Sequence, residues 1–340
     1  MKVLHICTYD SGGAGNAAMR LHLGLMKDGI DSKFVCLKKF TAQPAVIEYH
    51  KRKQLNVIQR LLQKLGYSFL KEKKNAGKLA KYGNKYELFT FPETDIDLLA
   101  LPELQQADIV NLHWVDYFLD YPSFFKTFKK PVVWTLHDKN PLMGGFHILG
   151  DKIANPEMAD LEEKVWKRKM SYIRQHKNIN IVSPSKFLFT YSEHSKTFDG
   201  YIHYNIPNSV DTNIFINHDK TVARKYFNFP AGKTLVLFLN SHTWHKGTDM
   251  IYTVLGNKSY NNLHFIGLGN EAADTDQITY LPLTYNEREL SILYAATDFF
   301  LLPSREDNLP NMMLESLSCG TPVIGTPIGG IPDVVRNGIN

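Results

Sequence analysis

Cysteine is scarce in this chain, and the scarcity removes two structural options. Cys7, Cys36 and Cys319 stand far apart among 340 residues, with no C-x-x-C spacing. That excludes a disulfide-framed small domain and a cysteine zinc site. Long apolar runs are equally wanting. No stretch reaches the ~18 apolar residues of a membrane span. The best of them, "LSILYAATDFFLLP", is broken by Asp298, and the apolar run in "MKVLHICTYDSGG" is too short for a secretory leader. The expectation is an unprocessed chain in a reducing cytoplasm. Short-period repeats and low-complexity tracts are also missing, and 44% apolar with 21% charged residues is ordinary globular composition. A chain of this length exceeds one core, so two domains of roughly 150 to 200 residues are expected.

Charge of one sign is absent as a global feature but present locally. Residues 51–86 hold 11 Lys/Arg against one acid, a net +10, and the other 28 Lys/Arg and 33 Asp/Glu leave the rest at −5. A uniformly basic nucleic-acid binder would not be built this way.

Short apolar, β-rich runs alternate with helical patterns throughout, the pattern of βα units on parallel sheets. The first series has strands near 2–7, 32–37, 108–113, 131–136, 178–183 and 200–205. The second has strands near 234–240, 263–268, 278–282, 298–303 and 321–325. "IPNSVDTNIF" separates them, placing domains at 1–207 and 208–340, with the basic segment inserted in the first.

Candidate site residues lie where such sheets bind ligands, beyond strand ends and at helix N-termini. Gly13 to Ala18 satisfies G-x-G-x-x-A, but four residues separate strand one from the first glycine, and "VCLKK" supplies no acid at the end of strand two. A nicotinamide loop, an anion-friendly glycine loop and a plain tight turn all remain open. His113 and His137-Asp138 end two strands and face the expected crevice, although 13 histidines make coincidence a rival. Lys246-Gly247 opens a helix where a lysine suits phosphate, or is a surface lysine; the P-loop pattern is absent. His242 and His245 lack a third metal ligand of recognisable spacing.

"SREDNLPNMMLESLSCGTPVIG" places Glu306, Asp307 and Glu315 around a helix start. Carboxylates would repel bare phosphate, but they accept from hydroxyls, which suggests a ribose or a sugar. With Met313, Leu314 and Leu317 as the apolar face, the helical step projects Glu315 about 155° away, toward ligand or solvent.

Together these residues resemble the retaining nucleotide-sugar glycosyltransferases of family 4. The resemblance runs through "GGAGNAAMRLHLGL", "VVWTLHD", "IPNSVDTNIF", "HKG" and "DNLPNMMLESLSCGTPVIG", the last similar to an E-x7-E signature. It implies a GT-B α/β fold of two Rossmann-like domains facing a central cleft, with the acceptor on the first and the nucleotide-sugar donor on the second. The end at Asn340 leads to the expectation of a second domain shortened at its C-terminus. It also implies that Glu315 binds the ribose hydroxyls, and that Asp307, with the neighbouring backbone through Glu306, Asn308 and Leu309, meets the donor sugar. Lys246 would neutralise the diphosphate and His137 would contact the transferred sugar. Gly12 and Gly13 would bring backbone N–H groups to the reacting centre, with His113 and Asp138 toward the acceptor or cleft. No metal and no cofactor are expected beyond the donor substrate.

Asp307 stands where that family usually has Glu, and Ser241-His242 occupy the region of its usual Arg. The implied activity is sugar transfer with retention, onto a glycan or lipid-linked glycan, in surface polysaccharide synthesis. A GT-B sugar-nucleotide epimerase and a nucleotide-binding remnant without turnover are the alternatives. In "KRKQLNVIQRLLQKLGYSFLKEKK", Leu55, Ile58, Leu62, Leu65 and Phe69 recur at helical spacing beside basic residues. Such a helix either packs on its own domain or lies on an anionic membrane, giving peripheral attachment at the inner face.

Overall fold

The computed structural model describes residues 1–43, 45–83, 85–256, 261–270 and 272–340. The chain divides into two compact units. Unit 1 comprises Met1–Pro184 and Leu188–Ile206, and unit 2 comprises Ser185–Phe187 and Pro207–Asn340.

Unit 1 is a seven-stranded sheet. Its strands are β1 (Lys2–Tyr9), β2 (Asp31–Lys38), β3 (Val46–Glu48), β4 (Ile109–Leu112), β5 (Val132–Thr135), β6 (Ile179–Ser183) and β7 (Ile202–Asn205). They are ordered β3-β2-β1-β4-β5-β6-β7, and every neighbouring pair is parallel. Unit 2 has β8 (Thr234–Asn240), β9 (Leu263–Gly269), β10 (Ile278–Pro282), β11 (Phe299–Leu302) and β12 (Val323–Gly325). Their order is β10-β9-β8-β11-β12, again all parallel. Strands covered by helices on both faces read as unbroken apolar runs, which is why these segments are legible in the sequence. Leu235, Leu237, Phe238, Ile266 and Phe300 are fully buried in unit 2, as are Ile6, Val110, Val132 and Trp134 in unit 1.

Strand order reverses between β1 and β4 in unit 1, and between β8 and β11 in unit 2. At such switch points the loops leaving adjacent strands part and open a crevice beyond the carboxyl ends. Gly12 and Gly13, His113, Lys246 and Glu306 to Leu309 follow these four strands, whereas His137 and Asp138 follow β5 and Glu315 lies in the helix Asn311–Ser318.

The basic segment departs from the expected single helix. It forms α2 (Val57–Lys64) and α3 (Lys71–Leu79), following α1 (Gly12–Lys27) in chain order. Gly66, at φ +89°, ends the first of these two helices in a conformation that a side chain would strain. β3, three residues on the sheet edge, was not expected, because so short a run shows no alternation.

Candidate functional site

In unit 2 two loops meet at the switch point. After β8, Trp244–Lys246 forms a single 3₁₀ turn that Gly247 closes at φ +69°. A Cβ on Gly247 would fall 2.0 Å from the Pro303 carbonyl oxygen just past β11, so only glycine lets the turn lie against that strand end. Lys246 Nζ thereby comes within 2.7 Å of Asp307 Oδ2. Arg305 ties the loops together. Its guanidinium donates to Trp244 O at 2.9 Å and to both Asp249 oxygens at 2.6 Å, and lies 5.2 Å over the Trp244 ring. The Arg305 N–H also donates to His245 O at 2.7 Å. Beneath the acidic loop run Gly329 and Gly330. A Cβ on Gly329 would sit 1.9 Å from Asp307 O, and Gly330 N donates to Asn308 O at 2.6 Å. Ser185 Oγ donates to Asn308 Oδ1 at 2.6 Å.

Of the two outcomes left by the helical step, ligand or solvent, Glu315 does not take the solvent one. It is 3% exposed and accepts from Tyr294 Oη at 2.9 Å. The helix Asn311–Ser318 is flanked by helix Glu287–Ala296, from which Tyr294 reaches it, so its polar side is covered as well as its apolar side. The Leu309 side chain is packed in the unit 2 core, so its backbone is the part that could meet a ligand. Glu306 and Asn308 are half-buried.

In unit 1, Tyr9, Gly12, Gly13, Trp114, His137 and Asp138 line a cavity of about 300 Å³. The glycines at the start of α1 have different duties. Gly12 sits at φ +77°, and neither Gly12 nor Gly13 would place a Cβ against any neighbour. At Gly15, by contrast, a Cβ would fall 2.8 Å from Tyr9 O and from the Asp10 carbonyl carbon, so only glycine lets the helix lie against the end of β1.

His113 is 3% exposed and does not face the cavity directly. It lies behind His137, its Nδ1 3.0 Å from His137 Nε2, while its Nε2 is 3.0 Å from His5 Nδ1. Asp138 is likewise engaged rather than open. It accepts from Trp114 Nε1 at 2.9 Å and from Asn140 N at 2.9 Å, and meets His147 Nδ1 at 2.6 Å. Burial opposes its charge, yet the His147 imidazole and these donors hold its pKa below the usual carboxylate range.

Residues 233–340 match the family described as "Glycosyl transferases group 1". D-inositol 3-phosphate glycosyltransferase of Mycolicibacterium smegmatis is 25% identical over 146 residues, 38% of this chain and 33% of that protein. The Mycobacterium bovis enzyme of the same name is 27% identical over 145 residues, 38% of this chain and 30% of that protein. The chain thus spans about a third of the length of these curated relatives.

Solved structures match more widely. Sucrose-phosphate synthase from Thermosynechococcus elongatus gives a TM-score of 0.65 at 15% identity, covering 99% of this chain and 84% of that one. HepE from Anabaena, solved with UDP and glucose, gives 0.64 at 14% identity over 100% and 84%. WaaG, a glycosyltransferase involved in lipopolysaccharide biosynthesis, gives 0.60 at 14% identity over 98% and 83%. The chain has the GT-B fold.

Within this GT-B chain several residues around the candidate sites were not singled out from the sequence. Tyr294 acts from another helix and the Gly329-Gly330 pair from another loop, while Arg305 belongs to the acidic loop itself. Only the glycine pair ahead of Ile331-Pro332 gave a local signal, that of a tight backbone approach before a helix. His5 had a signal too, as a lone imidazole inside the apolar run of β1. No group of three or more His, Cys, Asp or Glu side chains among the described residues is placed to hold a metal ion.

The buried imidazoles make unit 1 acid-sensitive. Burial, with His22 nearby, lowers His5 to about 3; burial lowers His137 to about 4, Asp138 opposing; and burial, with His5 and His137, puts His113 well below its ordinary value. Unfolded imidazoles bind protons below about 6.5 while these do not, so their stability contribution is complete above that pH and is lost as pH falls toward 4. His147 runs the other way: burial opposes charge, but Asp138 and Asp116 raise it, and its contribution is lost as pH rises. Burial also lowers His22 and His176, so five lowered imidazoles of unit 1 are opposed by one, a net loss in acid. Unfolding free energy is expected to fall between pH 7 and pH 5 by an amount on the order of 2–5 kcal/mol. Guanidinium denaturation at the two values checks this, and equal midpoints would show the imidazoles titrating normally.

Proposed function

We propose that this chain transfers a sugar, with retention, from a nucleotide-diphosphate donor to a hydroxyl acceptor. The observation that carries the reading is the convergence of Lys246 with Asp307 at the unit 2 switch point, 2.7 Å apart, on a helix-bearing loop pair. Glu315, on the helix that follows the acidic loop, is oriented in advance by Tyr294. Lys246 faces the diphosphate, Glu315 accepts from the ribose hydroxyls, and Asp307 with the Glu306–Leu309 backbone accepts from the sugar. Unit 1 presents the acceptor, with His137 contacting the transferred sugar. The acceptor oxygen bonds to the anomeric carbon as the bond to the phosphate oxygen breaks. The acceptor proton passes to the departing diphosphate, so no separate base is needed. Lys246 and helix N-terminal amides stabilise the charge that develops there.

Calorimetric titration with UDP, GDP and ADP, followed by the matching sugar donors, tests the reading. One nucleotide diphosphate is expected to bind with micromolar affinity, and failure of all three to bind would overturn it. Turnover is expected to proceed without a divalent ion, since Lys246 supplies the countercharge and no acidic D-x-D pair adjoins a phosphate loop. Chelator should change the rate by less than about twofold; abolition, with rescue by magnesium or manganese, would contradict this.

The acceptor in this reading is lipid-linked, in surface polysaccharide synthesis, and the chain works peripherally at the inner membrane face. Val57, Ile58, Leu61 and Leu65 of the α2 region are 72%, 68%, 57% and 73% exposed. They fall within about 100° of one another around the helix. This stripe replaces the expected one, because Leu55, Leu62 and Phe69 are half-buried. Lys51, Arg60, Lys64, Lys73 and Lys74 are exposed around it, matching an anionic lipid surface. Lys71 leaves the basic set, since it pairs with the buried Asp120 at 2.7 Å, as Lys53 does. No helix among the described residues is long and apolar enough to cross a membrane. Ile58→Glu with Leu61→Glu, or Lys73→Glu with Lys74→Glu, should lower cosedimentation with phosphatidylserine vesicles by about tenfold or more at low salt. Nucleotide affinity should be unaffected. Undiminished recovery of both variants would remove the membrane from the account.

A further inference from the structure

His5, His113 and His137 stand in line on three segments of unit 1: the body of β1, the residue after β4 and the second residue after β5. His5 Nδ1 lies 3.0 Å from His113 Nε2, and His113 Nδ1 lies 3.0 Å from His137 Nε2. A neutral imidazole has one N–H and one bare nitrogen, so in each contact one ring donates and the other accepts. The direction of the first contact therefore sets that of the second.

That direction is decided at the buried end. His5 is 0% exposed, and its Nε2 has no hydrogen-bond partner. A proton on Nε2 would be a buried donor without an acceptor, which costs more than an unused lone pair. His5 therefore carries its proton on Nδ1 and donates to His113 Nε2. His113, accepting at Nε2, carries its own proton on Nδ1 and donates to His137 Nε2. The proton of His137 is left on Nδ1.

We propose that His5 and His113 are positioning residues that hold His137 as the neutral Nδ1–H tautomer, so that it meets a ligand as a hydrogen-bond donor and not as a general base. Its one lone-pair nitrogen, Nε2, is already taken by His113. The matching ligand group is an acceptor, such as a sugar hydroxyl or ring oxygen, and the inference rests on the reading of His137 as a sugar contact. Neutrality has the same origin as the acid sensitivity described above. Burial disfavours charge on all three rings, His22 faces His5 at 5.7 Å between ring centroids, and Asp138 beside His137 opposes this only in part.

Long-range proton–nitrogen correlation spectra of the full chain, labelled with ¹⁵N-histidine, test this directly. The three rings are assigned through His5→Gln, His113→Gln and His137→Gln. All three are expected as Nδ1–H tautomers, unchanged between pH 7.5 and 5.5. An Nε2–H tautomer or an imidazolium pattern at His137 in that range would overturn the proposal. His113→Phe keeps a stacking ring without nitrogens and should turn His137 into a tautomer mixture, with kcat reduced about tenfold and donor KM within about twofold. His113→Asn, whose amide overlays the Nδ1 donor, should restore the single tautomer and most of the rate. An unchanged His137 spectrum in His113→Phe would also overturn the relay. A wild-type chain with the expected tautomers but no sugar transfer would instead contradict the glycosyltransferase reading and leave the relay standing.

Discussion

Replacing Lys246 with alanine is expected to lower kcat by about 10²- to 10³-fold, the range seen when one preorganised charge stabiliser is removed from a transition state. The fold should survive. Lys246 is 26% exposed in its pair with Asp307, so the pair is partly solvated and contributes on the order of 1 kcal/mol or less. After the change, Asp307 keeps its contacts with Asn308 N at 3.0 Å and Ser304 Oγ at 3.4 Å. The Arg305 clamp still fixes both loops. Donor affinity should fall less than kcat, because charge on the bridging phosphate oxygen grows as the sugar departs. Lys246→Arg should recover only part of the rate, since a planar fork does not reproduce a compact ammonium. Steady-state kinetics beside a thermal melt decide it. An alanine variant with normal kcat would remove Lys246 from the chemistry, and one that fails to fold would make it structural.

Glu315→Ala carries the second large effect, and it acts on binding and stability together. Loss of a charged acceptor should weaken nucleotide binding by about 1.5–3 kcal/mol, roughly ten- to 150-fold. The same change strands the hydroxyl of Tyr294, which is 0% exposed and donates to Glu315 at 2.9 Å. A buried donor without its acceptor costs about 1–3 kcal/mol of stability. Two further variants separate the effects. Tyr294→Phe removes the hydroxyl and keeps the ring, so it should lower affinity less than about fivefold. Glu315→Gln leaves Tyr294 an acceptor and isolates the loss of charge. Calorimetry with the preferred nucleotide diphosphate and urea denaturation of each variant read the two quantities. If Glu315→Ala binds nucleotide as the wild type does, the carboxylate serves Tyr294 alone.

Most of the framework was legible because buried parallel strands are apolar on both faces, so "TLVLFLN" and "LHFIGL" stand out without any alternation. What escaped depends on contacts distant in sequence. A helical wheel supposes one buried face, but Tyr294 covers Glu315 from a helix 21 residues away. The position of His113 at a strand end was evident, yet its enclosure by His5, 108 residues earlier, was not. Asp138 looked available until Trp114 and His147 closed on it. In the basic segment the apolar spacing ran unbroken through Gly66, and only its left-handed backbone shows that the helix stops there. The stripe that faces outward is consequently Val57, Ile58, Leu61 and Leu65.

Proton NMR of a complete reaction tests the central claim most directly. The chain is incubated with the nucleotide sugar whose nucleotide it binds, with and without a lipid-linked glycan acceptor, and the anomeric signals are followed. The expected result is a glycoside with the anomeric configuration of the donor, formed together with one nucleotide diphosphate per sugar transferred, and only when acceptor is present. A sugar nucleotide altered at a ring carbon without acceptor, an inverted glycoside, or tight nucleotide binding with no product from any acceptor offered would contradict it.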